Sequence, residues 1–313
     1  MEDKARQKKS NFHLAGIVPV GISPLDFNMP WQDSLMPIAP NYLAVERAIY
    51  ECGMAGCETI WVVCHKETTP LIRHRLGDFI LDPTLNYSIL RNYYRKAEQH
   101  LKRIPIYYLP IHPKDRGIRD GLVWSIIYGF KKAFHISRMF SRWSTPSKYY
   151  VSFPYSVYSP SFVKEHRSVI SSKQSIFLQT PDGRTAKDGA LIGFTFDSWE
   201  YSDYRKSYLD AETRLWKNGS WENGKFVGEK LPPEERYNGD KIPLETFLEL
   251  ADVNQNNTIS IPWHYDISSW EDYCTFLSSK EREYIRRPKF GFRYSEFNPF
   301  AEDEEVLDNP EES

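Results

Sequence analysis

The chain has 313 residues, of which 41% are hydrophobic and 26% charged, enough apolar surface for one large domain or a domain with a smaller lobe. Forty basic residues against 42 acidic ones leave a net charge of −2, so no overall field draws in nucleic acid or an anionic membrane. Neither a signal-type apolar core at the start nor a run of membrane-spanning length occurs, which predicts a cytoplasmic chain without a membrane partner.

The ends differ from the middle. Lys4, Arg6, Lys8 and Lys9 make a basic arm over residues 1–11. Glu302 to Glu312 make an acidic tail within a C-terminal extension, 288–313. Between them, 12–287 reads as one α/β domain, with a nucleotide-binding half over about 12–160 and an acceptor-side half over about 161–287. The four cysteines form no Cys-x-x-Cys pair, so reduced thiols are expected. Aromatic residues reach 15%, with 20 Tyr and 9 Trp, which favours a rigid core and stacking surfaces.

In chain order, residues 12–20 are a continuous apolar run, the signature of a strand covered on both faces. A loop rich in Gly, Pro, Asp and Asn follows to residue 38. Asn41 reads as the N-cap of a helix with Leu43, Val45, Ala48, Ile49 and Cys52 on its apolar face, ended by Gly53 and Gly56. Residues 59–64 are a second buried strand, and a short helix spans 70–76. A helix over 87–101, a strand over 104–111, a helix over 120–134 capped by Asp120 and a strand over 148–153 continue the alternation. The second half adds two strands around Pro181-Asp182-Gly183-Arg184. A hairpin over 214–228 has turn signals at Asn218-Gly219 and Asn223-Gly224. A helix over 242–252, a strand over 258–263 and a helix over 269–286 complete it.

This order of elements resembles the nucleotidyltransferases that join a sugar phosphate to a nucleotide with release of pyrophosphate. The resemblance runs over about 12–280. Val18-Pro19-Val20-Gly21-Ile22-Ser23-Pro24-Leu25 stands where the family has its Gly-rich signature loop, and Ser34-Leu35-Met36-Pro37-Ile38 stands at the exit of that loop. Ala55-Gly56-Cys57-Glu58-Thr59-Ile60-Trp61-Val62-Val63 is similar to the strand that follows the first helix. Gly117-Ile118-Arg119-Asp120-Gly121 sits where the family opens the helix beside the base. Gly228-Glu229-Lys230-Leu231-Pro232 resembles the Glu-Lys-Pro segment facing the sugar phosphate. Trp263-His264-Tyr265-Asp266-Ile267 resembles a stretch whose Asp holds the catalytic metal.

The resemblance implies a three-layer α/β/α, mostly parallel open sheet of the nucleotidyltransferase or GT-A-like kind, with β-hairpin insertions. It implies a nucleoside triphosphate and a sugar phosphate as partners and Mg²⁺ as cofactor. Residue by residue, it assigns Val20, Gly21, Ser23, Gly117, Asp120 and Gly121 to the nucleotide. Glu229 and Lys230 go to the acceptor, Lys230 also to catalysis, and Asp266 to the metal. The family's loop Arg aligns with Leu25 and its Lys with Asp33. Pro154-Tyr155-Ser156 follow the 148–153 strand where a second metal carboxylate is expected. Nucleotidyl transfer needs positive charge around the attacked phosphate. Lys114, Arg116 and Arg119 are the cations at hand to replace what is lost, and Asp26 and Asp33 the carboxylates; of these, Arg116 and Asp33 are taken as catalytic candidates. Two other readings stay open: a catalytically silent binding or assembly module, as a homo-oligomer or with a protein partner, and a nucleotide-sugar-dependent glycosyltransferase, against which the absence of an Asp-x-Asp after the 148–153 strand counts.

Overall fold

The structure is a computed structural model and describes residues 13–20, 32–84, 102–115, 121–141, 145–212, 216–222, 225–232 and 242–288. The first half alternates strands and helices. Strand β1 (Leu14–Pro19) leads to the short pair β2 (Pro37–Ala39) and β3 (Tyr42–Leu43), helix α1 (Ala44–Ala55), β4 (Thr59–His65) and α2 (Thr69–Leu76). Then come β5 (Phe79–Leu81), β6 (Arg103–Ile111), the long helix α3 (Leu122–Phe140), β7 (Lys148–Val151) and β8 (Ser156–Val157). The second half contributes β9 (Phe177–Gln179), β10 (Phe194–Asp197), helix α4 (Glu200–Glu212) and the hairpin β11 (Trp216–Glu222) with β12 (Lys225–Lys230). Strands β13 (Thr258–Ser260) and β14 (Tyr265–Asp266) and helix α5 (Trp270–Leu277) complete it.

Eight strands form one sheet in the order β13-β9-β10-β7-β1-β4-β6-β5. The pairs β7/β1, β1/β4, β4/β6 and β13/β9 are parallel; β9/β10, β10/β7 and β5/β6 are antiparallel. Side chains alternate between two cores. Leu14, Val18, Ile60, Val62 and Tyr150 join the α1 side, whereas Ala15, Ile17, Trp61, Val63 and Tyr149 join the α3 side. Both faces are buried, which is why these strands read as unbroken apolar runs. Gly16 and Gly129 let the two helical layers approach β1 closely: a Cβ on Gly16 would lie 2.8 Å from Cys52 Sγ, and one on Gly129 would lie 2.9 Å from Ile17 Cγ2. The molecule is thus an α/β/α sandwich on a mixed, mostly parallel sheet, as the sequence implies.

Several local expectations shift. Asn41 is not the N-cap of α1; it sits at φ 55, Leu43 is the cap, and Glu46 reaches back to accept the Leu43 N–H at 2.9 Å. Gly53 stays inside α1, which ends at Gly56 in the left-handed region. Helix α3 is capped by Gly121 rather than Asp120 and runs on to Phe140. In the hairpin Glu222 pairs with Lys225, and Asn218-Gly219 fall at a register shift inside β11. The helix expected over 242–252 is one turn, Leu244–Phe247. The one expected over 269–286 stops at Leu277, where the Ser278 and Ser279 hydroxyls bond back to the Cys274 and Phe276 carbonyls. The helix over 87–101 lies outside the described residues. The four cysteines are free thiols, and no helix among the described residues is long and apolar enough to cross a membrane.

Candidate functional site

The strand order fixes where a ligand can sit. From β1 the chain passes outward to β4 and β6 on one side, then returns to β7 on the other. Helix α1 covers one face on the way out and α3 the opposite face on the way back. The gap between β1 and β7 is therefore a topological switch point, and open α/β sheets bind ligands at the carboxyl ends of their strands at such points. Pairing directions bring the carboxyl ends of β1, β4, β6, β7, β9 and β13 to this one edge.

The chain segments leaving that edge are tied together. Val20 continues β1 through an N–H bond to the Val63 carbonyl at 2.7 Å, and its own carbonyl accepts from the Gln32 side chain at 3.0 Å. Asp33 is buried in the helical turn that follows, beside Tyr155. Burial, and then the Asp33 charge, raise the Tyr155 phenol well above its ordinary range. The Tyr155 carbonyl in turn accepts the Ile267 N–H at 2.8 Å, while β8 pairs with β14 so that Asp266 faces Ser156. The Tyr273 hydroxyl donates to the Pro37 carbonyl at 2.6 Å. The segment over residues 33–37 and the segment around Asp266 thus meet beyond the carboxyl ends of β1 and β7.

Beside Asp266 opens a cleft of ≈ 430 Å³ lined by Pro181, Asp182, Arg184, His264, Tyr265, Asp266, Asp272 and Thr275. Asp266 Oδ1 accepts the Ser268 N–H at 2.9 Å. His264 Nε2 lies 2.9 Å from Ser156 Oγ. Burial, and secondarily the Arg47 charge beneath it, push the His264 imidazole down to about 4, so it is neutral at pH 7. Asp182 is held at about 2 by the Thr180 hydroxyl and by Arg184, whose Nε is 2.6 Å from its carboxylate. Asp272 caps α5 together with Ser269.

Among the predicted site residues, Val20, Asp33 and Asp266 come to this edge. Gly121 caps α3, its carbonyl accepting both the N–H and the hydroxyl of Ser125 at 3.0 Å. Glu229 and Lys230 are exposed on the β11/β12 hairpin, a two-stranded sheet of its own, opposite Lys217 and Trp216. Gly21, Ser23, Arg116, Gly117 and Asp120 lie outside the described residues, as do Arg119 and Asp26. Lys114 stands exposed just past the carboxyl end of β6. His264, Ser156, Asp182 and Arg184 carry no local sequence signal for the cleft; Ser156 and His264 are 108 residues apart and only the fold joins them.

A divalent cation has a thin donor set here. Among the described residues no group of three or more His, Cys, Asp or Glu side chains is placed to hold a metal. Mg²⁺ needs only one or two protein carboxylates when phosphates and water supply the rest. Asp266 alone among the described residues is short of the donor set that a resident divalent cation needs.

No protein-family model matches the chain, and no curated protein matches it. Among solved structures, a Bacillus anthracis protein provisionally assigned as a glucose-1-phosphate thymidylyltransferase, solved with a sucrose, is similar at 9% identity and TM-score 0.48, over 86% of this chain and 99% of that one. Rv0371c from Mycobacterium tuberculosis H37Rv is similar at 9% identity and TM-score 0.46, over 86% and 99%. A UDP-glucose pyrophosphorylase complexed with UDP-glucose is similar at 14% identity and TM-score 0.40, over 85% and 97%.

Proposed function

We propose that this chain is a nucleotidyltransferase-type protein that binds a nucleoside triphosphate at the β1/β7 carboxyl edge. There it transfers NMP to a sugar phosphate or similar phosphorylated acceptor. In that reaction an acceptor phosphate oxygen attacks the α-phosphorus, the bond to the bridging oxygen of the β-phosphate breaks, and pyrophosphate leaves. The observation that carries the reading is the meeting of the signature-loop exit with the Asp266 segment through Tyr155 at a topological switch point. Asp266 is the carboxylate for a nucleotide-borne Mg²⁺, which would offset phosphate charge when bound. Val20, Gly21 and Ser23 are assigned to the nucleotide and Gly117, Asp120 and Gly121 to the base. Lys114, exposed three residues past the end of β6, and Arg116 are the proposed cations. Glu229 and Lys230 stay proposed acceptor contacts, delivered by the hairpin.

Burial favours a second reading, a binding module without turnover. Asp33 stands where the family's Lys would be and is 5% exposed, and Tyr155, near the expected second carboxylate, is 1% exposed. Neither can neutralise a leaving pyrophosphate. Loss of one such stabilising donor costs about 2.7–4 kcal/mol of transition-state stabilisation.

The test is a melting-temperature series on the full chain with ATP, CTP, GTP, UTP and dTTP, each with and without Mg²⁺. At least one nucleotide should stabilise the protein, and Asp266→Ala should remove the Mg²⁺-dependent part. No stabilisation by any of them ends the proposal. Pyrophosphate release with a panel of sugar 1-phosphates then separates transfer from binding alone.

A further inference from the structure

A charged pair lies beneath this edge, away from any place where chemistry could occur. Arg47 and Glu51 sit one turn apart on α1, both with side chains fully buried, Nη1 to Oε2 at 2.6 Å. Burying two charges is costly even when they pair, and apolar residues of the same volume often fill such space at no loss of stability. The remaining bonds of this pair converge on one segment. Arg47 Nη2 donates to the Phe153 carbonyl at 2.7 Å, and Glu51 Oε1 accepts from the hydroxyls of Tyr150 and Tyr158. The Arg47 guanidinium lies 5.0 Å from the centroid of the Tyr158 ring.

Those three anchor points, 150, 153 and 158, bracket the stretch that builds the site. Inside it, Tyr155 holds Ile267, and β8 holds β14 with Asp266. Apolar side chains at 47 and 51 could fill the space but could not take the Phe153 carbonyl and two phenol hydroxyls at fixed positions. We infer that Arg47 and Glu51 are positioning residues. They set the course of residues 150–158 as the chain leaves β7, and through that stretch they place Asp266 at the cleft. The inference rests on the reading of this edge as a nucleotide site.

The experiment uses the full chain with Arg47→Lys, Tyr158→Phe and, as a control, Ile126→Ala, which weakens the core on the opposite face of the sheet. Nucleotide affinity, from the same five triphosphates with Mg²⁺, is measured by calorimetry well below each melting point. Lysine keeps the charge but lacks the planar fork whose two separate nitrogens reach Glu51 and the Phe153 carbonyl. Tyr158→Phe removes a single hydroxyl. Both should bind about tenfold or more weakly, as outer-shell substitutions do. The loss should be confined to the Mg²⁺-dependent part, while the control melts lower yet binds as the unaltered chain does. Unchanged affinity in both variants overturns the inference. If the unaltered chain binds no nucleotide, the site reading fails separately, and amide exchange at 153, 155–158 and 265–267 decides: faster exchange in the variants than in the control supports the positioning role, and equal exchange refutes it.

Discussion

The floor and the rim of the cleft each hold an arginine–carboxylate contact of 2.6 Å, and the two differ in everything except that distance. Arg47–Glu51 on the floor has both side chains at 0% exposure, whereas Arg184–Asp182 on the rim is 59% and 55% exposed. On the floor no water can replace a lost partner, so each bond matters through the cost of orphaning the other group. On the rim, solvent and salt screen the attraction and either partner can be lost at little cost. Contact length therefore does not rank these pairs; burial does. The buried pair is built to hold a shape, and the exposed pair is open to solvent.

Breaking the floor should give the largest effect. Arg47→Met strands the Glu51 charge and should destabilise the chain by about 3–5 kcal/mol, read by denaturant unfolding. Next, Gly193→Ala presses a methyl into the same network, where its Cβ would lie 3.0 Å from Tyr150 Cζ and 3.1 Å from Glu51 Oε1. Overpacking of that kind should cost about 1–3 kcal/mol, and Gly193→Ala combined with Tyr150→Phe should recover part of it.

His264, between floor and rim, gives a pH-dependent test. Its folded pKa of about 4 lies below the ordinary 6.5, so the unfolded chain takes up the proton first as pH falls. Its contribution is fully present above about 6.5 and is lost from there down to about 4. Melting points taken from pH 7 to pH 4 should fall through that window, and His264→Gln should flatten the fall. At the rim, Asp182→Asn should leave the melting point unchanged at moderate salt; a clear drop would mean that the rim is as rigid as the floor.

Much of this frame can be read in the chain itself. Strands β1, β4 and β7 announce themselves because helices cover both faces and the positions between their ends are apolar; the polar Thr59, His65 and Lys148 stand only at strand ends. Element ends are harder, since local hydrogen bonds decide them. Glu46 moves the start of α1 by reaching back to Leu43. The Asn257 side chain, bonded to the Asp252 carbonyl at 2.7 Å and to the Asn254 N–H at 2.7 Å, organises a turn where apolar spacing suggests more helix. Of the residues lining the cleft, the sequence singles out Asp266, through the resemblance. The charged pair beneath it carries no such signal. An Arg and a Glu four apart on an amphipathic helix look the same whether they face water or the core. The partners that settle the matter, Phe153 and Tyr158, are about a hundred residues away.

The most direct test of the shared edge is paramagnetic NMR on the full chain with a Mn²⁺-bound nucleoside triphosphate. Amide signals of residues 32–36, 155–156 and 264–268 should broaden first and together, while those of His13 and Met139, at the amino ends of the strands, stay sharp. Broadening at the amino ends instead, or at 264–268 without 32–36, would contradict a common site at the carboxyl edge.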